Sequence, residues 1–133
     1  MLSLDPTPSS PASITAIQTE GKFNDKEDVV NFAKDCDVVT VEIEHIDVEA
    51  LRELEALGVD VQPTSQTLAI IQDKFAQKEH FQEAGVPLGD FRAVNDAKEL
   101  ADAASDFGFP IMLKSRRMAY DGKEDRPECV VVK

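Results

Sequence analysis

The chain has 133 residues, 26 acidic and 14 basic side chains, a formal net charge of -12 and 42% apolar residues. That is apolar material for about one compact domain, and the acidity opposes nonspecific attraction to nucleic acid or an anionic membrane. No run approaches the roughly 20 apolar residues that span a bilayer, and the opening MLSLDPTPSSP has neither the basic nor the apolar stretch of a secretory signal, so a cytoplasmic protein is expected. Cys36 and Cys129 are far apart and form no CxxC pair, and His45 and His80 have no metal-ligand spacing, so neither a disulfide framework nor a metal site is expected.

Taken in order, Leu4 to Pro11 carry Pro6, Pro8 and Pro11, which fix φ and remove donors, and predict an irregular surface connection. Ser13 to Gln18 read as a short strand or an exposed turn. Asn24 or Asp25 can cap a helix with Val29, Phe32, Ala33 and Cys36 on its inner face. The β-branched run from Val38 to Ile43 predicts a strand that ends near Glu44 and is buried on both faces. Asp47 then caps a helix to about Leu57, with Leu51 and Leu54 inward and Gly58 ending it.

Val59 to Val61 predicts a short strand stopped by Pro63. From Thr64 or Ser65 one helix is expected to about Ala84, with Leu68, Ile71 and Phe75 in a single stripe. Phe91 to Val94 reads as a strand, Asp96 with Glu99 as the capping box of a helix to about Phe107, and Ile111 to Lys114 as a further strand. The run Val130 to Val132 has strand propensity but stands at the terminus, where it is expected to be unpaired, as in a chain cut short. Helices alternating with strands give an α/β class with a partly parallel sheet.

Charge is unevenly placed, with 14 acidic and 4 basic side chains in residues 1–60 but 12 and 10 in residues 61–133. Five of the 14 basic side chains fall between Lys114 and Arg126. A strand-end ammonium at Lys114, followed by a loop with Gly122, can hold a polyphosphate, although a solvated hairpin tip fits the same residues and no Walker or dinucleotide glycine motif occurs. Lys74 and Lys78 share a helix face beside Asp73 and can meet one anion or simply face solvent. Glu42 and Glu44 have the same strand parity, and His45 follows them at a strand end, where α/β proteins place ligand-facing residues; a charged strand exit is the plain alternative.

Together, PTPSSPA, TVEIEH, IIQDKFAQK and MLKSRRMAYDGK, in this order and spacing, resemble the ATP-grasp carboxylases of purine biosynthesis. The closer resemblance is to the fungal phosphoribosylaminoimidazole carboxylases, whose amino-terminal region is similar to carboxyaminoimidazole ribonucleotide synthase. It covers Leu4 through Lys123. It implies an incomplete amino-terminal parallel-sheet region over 1–63, a helical connection over 64–90 and the start of an ATP-grasp region over 91–133.

The resemblance also implies an enzyme that uses ATP to activate bicarbonate and carboxylate aminoimidazole ribonucleotide, with a homo-oligomer conceivable for the full-length protein. Lys74 and Lys114 would contact ATP phosphates, and Tyr120, Asp121, Gly122 and Lys123 would cover them. Glu42, Glu44 and His45 would lie near the nucleotide-substrate cleft, with no proton-transfer role assigned. Magnesium would bridge phosphates and carboxylates, but its expected ligands belong to family sequence after Lys133. Three departures stand out: the family's glycine-rich opening is missing before Met1, Glu124 replaces a glycine in the covering loop, and the second half of the ATP-grasp fold is absent. The isolated chain is therefore expected to show little turnover. A noncatalytic nucleotide-binding module and a structural partner of another chain are the competing readings.

Overall fold

Aspartates cap four of the helices of this chain, in a computed structural model that describes residues 1–117 and 128–133. Asp25 accepts from the Glu27 and Asp28 amides and opens α1 (Lys26–Ala33). Asp47 accepts from Ala50 N and opens α2 (Val48–Ala56), which closes at Leu57 with Gly58 at φ +91°. Asp96 accepts from Glu99 N and opens α5 (Ala97–Phe107). The reciprocal half of that box shifts by one residue, since the Glu99 carboxylate accepts from the amide and side chain of Asn95. Each side-chain acceptor satisfies a donor that the first helical turn leaves unpaired.

The chain divides into two compact units, Met1–Ala69 and Ile70–Lys133. In the first, β1 (Leu2–Asp5) pairs parallel with β2 (Ile17–Glu20), and β3 (Val38–Thr40) pairs parallel with β4 (Asp60–Gln62) through α2. A single 3-10 turn, Pro11–Ile14, precedes β2. The core joins Val29 and Ala33 of α1, Val39 and Val61 of the strands, Ala50, Leu51 and Leu54 of α2, and Leu68 of α3 (Ser65–Ile71). Ala50, Leu51 and Leu54 are wholly buried, each leucine contributing about 2 kcal/mol of apolar transfer.

Two expectations change here. The stretch expected to be irregular from Leu4 begins as strand β1, because pairing with β2 satisfies its backbone, and the irregular part starts only at Pro6. The strand expected from Val38 to about Glu44 and buried on both faces spans Val38–Thr40 and buries Val39 alone. Its partner β4 is three residues long and is followed by Pro63, so the ladder has nothing further to pair with; helices cover one face, and Val38 is 59% exposed on the other.

In the second unit β5 (Phe91–Val94), β7 (Cys129–Val132) and β6 (Met112–Ser115) form an antiparallel sheet in that order. Val130 and Val131 are fully buried in its central strand. The terminal strand expected to be unpaired is therefore hydrogen-bonded on both sides. Register and parity put Val94, Cys129 and Val131 on one face, packed on Leu100, Ala103 and Phe107 of α5. Phe91, Val130 and Lys114 share the other face. There the Phe91 ring meets Phe75 of α4 (Lys74–Glu83) edge-on at 5.7 Å.

The single helix expected from Ser65 to Ala84 is two helices, broken at Gln72 and Asp73. Asp73 takes an extended conformation (φ -119°, ψ 108°) and restarts the chain as the cap of α4. The unit boundary falls within 64–90, between Ala69 and Ile70. Among the described residues no helix is long and apolar enough to cross a membrane.

Candidate functional site

Lys114 is the third residue of β6, an exposed position on the sheet face that α4 approaches. Lys74 is the first helical residue of α4, and its amide donates to the Arg116 carbonyl at 2.9 Å. The helix that begins with one lysine is thus tied to the chain two residues past the other. Among the described residues neither ammonium has an ion-pair partner, whereas Arg116 and Arg117 both do. Lys78, one turn along α4, instead lies 5.5 Å from the Phe91 ring centroid, a cation–π arrangement that accounts for it structurally.

Immediately before Lys74 stands a buried ionisable group. Asp73 is 2% exposed. Its Oδ1 accepts from Phe75 N, Ala76 N and Arg116 Nε, and its Oδ2 from Arg116 Nη2 at 2.7 Å and Arg117 Nε at 3.1 Å. Burial pushes the Asp73 carboxyl up, but the Arg116 hydrogen bonds, the Ala76 and Phe75 amides and the Arg116 charge outweigh it and hold the group below the usual carboxylate range. The same hydrogen bonding raises Arg116, which also lies over the Phe75 ring at 5.2 Å. Arg116 and Arg117, two of the five clustered cations, are thus committed to Asp73. The spacing of Asp73 before Phe75 and Ala76 carried the signal of a cap; the pairing across 43 residues had none.

Tyr120, Asp121, Gly122 and Lys123 lie outside the described residues, as do Glu124 and Arg126. Glu42, Glu44 and His45 are in the first unit, in the loop that leaves the carboxyl end of β3 and leads to α2, not in the strand itself. Because β3 ends at Thr40, strand parity does not align the two carboxylates. Both are exposed, and Glu44 stands 4.0 Å from Nε2 of the half-buried His45. An open groove of about 600 Å³ runs beside β5, between Phe75, Glu79 and Gln82 of α4 and Val86, Leu88 and Phe91; neither Lys74 nor Lys114 lines it. Among the described residues no group of three or more His, Cys, Asp or Glu side chains is placed to hold a metal ion, so these residues do not by themselves fit a magnesium site.

A parallel β/α region followed by an antiparallel sheet is the arrangement of a chain in which a separate α/β region precedes an ATP-grasp domain, and the ATP-grasp domain family matches residues 79–126. Residues 1–72 match the ribonucleotide synthetase preATP-grasp domain, and the chain belongs to that family. It is 46% identical over 121 residues to the chloroplastic phosphoribosylaminoimidazole carboxylase of Vigna aconitifolia, and 43% identical over 122 residues to that of Candida glabrata. These alignments cover 90% and 87% of the chain but 21% of each relative, so the chain spans about a fifth of the length of those proteins. Among solved structures, carboxyaminoimidazole ribonucleotide synthase of Aspergillus clavatus complexed with ATP is 37% identical, with a TM-score of 0.86 over 98% of this chain and 40% of that one. An ADP complex of N5-carboxyaminoimidazole ribonucleotide synthetase gives 30% identity and a TM-score of 0.89 over 99% of this chain and 40% of that one.

Proposed function

We propose that this chain supplies the pre-ATP-grasp region and the opening of the ATP-grasp domain for ATP-dependent carboxylation of aminoimidazole ribonucleotide in purine biosynthesis. The observation that carries the reading is the Lys74 amide on the Arg116 carbonyl, which ties the start of α4 to the chain just past Lys114, two lysines without an ion-pair partner among the described residues. Lys74 and Lys114 act as point charges on phosphoryl oxygens. Phosphoryl transfer depends chiefly on positioning and on neutralising such charge. In this reading ATP activates bicarbonate, the ribonucleotide accepts the carboxyl group, and Tyr120, Asp121, Gly122 and Lys123 cover the phosphates. Glu42, Glu44 and His45 face the ribonucleotide. A cytoplasmic setting and a homo-oligomeric full-length protein belong to the same proposal.

Support comes from the order of the four sequence segments and from relatives whose solved structures hold ATP, or ADP with aminoimidazole ribonucleotide. Titration calorimetry of the purified chain with ATP and magnesium tests the site. Binding is expected, and Lys114→Ala should weaken it roughly tenfold, the loss of one charge-assisted phosphate contact. Absence of binding at millimolar ATP, or equal affinity in the variant, overturns the assignment of Lys114.

A further inference from the structure

We infer that Asp73 is the positioning residue of this site: it sets the separation of Lys74 and Lys114 by clasping the start of α4 to the end of β6. The inference rests on the nucleotide reading above and adds a residue that touches no phosphate. Its basis is geometric. Asp73 immediately precedes Lys74, and its carboxylate binds the first-turn amides of the helix that Lys74 opens. The same carboxylate receives the Arg116 fork and Arg117 Nε, from residues two and three positions beyond Lys114. Arg116 closes the ring through its own backbone, accepting from Lys74 N and donating to Glu128 O beside β7.

One buried carboxylate therefore anchors both lysine-bearing segments through five hydrogen bonds to side chains and amides. A fork of two parallel bonds to a planar guanidinium fixes direction as well as distance. The same contacts hold the two arginines back: Arg116 is forked onto Asp73 and lies over the Phe75 ring, and Arg117 Nε is drawn to the same carboxylate. Burial of Asp73 at 2% exposure excludes it as a ligand for the nucleotide or its metal in this arrangement.

The test is a double-mutant cycle read by ATP calorimetry on the 133-residue chain: wild type, Asp73→Asn, Lys74→Ala and the pair. Asparagine retains the capping oxygen but loses the charge that organises the arginines. Asp73→Asn is expected to weaken ATP binding roughly tenfold in the wild-type background and hardly at all once Lys74 is alanine, since misplacing a charge matters only while it is present. Arg116→Lys, which leaves the cap intact and breaks the fork, should reproduce the loss and serves if Asp73→Asn does not fold. A wild-type chain that binds no ATP overturns the nucleotide site and the positioning role with it. ATP binding that survives Asp73→Asn and Arg116→Lys unchanged, or a loss of equal size in the Lys74→Ala background, overturns the positioning role alone.

Discussion

Asp73 shows how one side chain reverses the ordinary cost of burying a charge. An unpaired carboxylate at 2% exposure would forfeit several kcal/mol of hydration, and here hydrogen bonds from two amides and two guanidinium groups offset it. Replacing Asp73 by Ala removes the cap and leaves Arg116 only the 4.0 Å ion pair with Glu128. A loss of about 2 kcal/mol is expected in urea unfolding, below the range for a fully buried pair because Arg117 is 55% exposed. The contribution also has a pH signature. Since the folded-state pKa is lowered, the unfolded chain binds more protons across the carboxylate range. The stabilisation is complete above that range and disappears as pH falls through and below it. The stability difference between wild type and Asp73→Asn, followed by urea midpoints on acidification, should therefore shrink; a difference that grows would contradict the assignment.

At the level of elements, local chemistry and partner availability act on different features. Helix starts follow capping residues, and α1, α2 and α5 begin where Asp25, Asp47 and Asp96 place them. The end of α2 is equally local: Gly58 sits at φ +91° with no atom within 4 Å of where a Cβ would be. Gly58→Ala should therefore cost about 1 kcal/mol through backbone strain alone, seen as a lower thermal midpoint with no change in helix content. Strand ends obey other rules. β3 stops at Thr40 although its β-branched run continues to Val41 and Ile43, because a strand extends only as far as its partner. The apolar stripe Leu68, Ile71, Phe75 is continuous in sequence, yet Leu68 belongs to the core of the first unit while Phe75 meets Phe91 edge-on in the second.

Across the whole molecule, each unit builds its own core, one around α1 and α2 and one between the antiparallel sheet and α5. Leu54 and Val131 are both fully buried, each in one of them. Leu54→Ala should cost about 3 kcal/mol and speed hydrogen exchange in α1, α2 and β4, whereas Val131→Ala should cost on the order of 2 kcal/mol and speed exchange in β5, β6 and β7. Uniform acceleration through the chain by either change would argue against two separately packed cores. By itself the sequence determined the α/β class, most helix starts, the parallel character of the first region and the family to which the motifs point, because capping, periodicity and motif order are written in neighbouring residues. Only the tertiary structure decided that Val130 to Val132 form a central strand, that Glu42 and Glu44 lie in a loop, and that Asp73 holds Arg116 and Arg117. Each of these depends on partners tens of residues away in the chain, and a pairing of that kind leaves no local pattern for a single sequence to display.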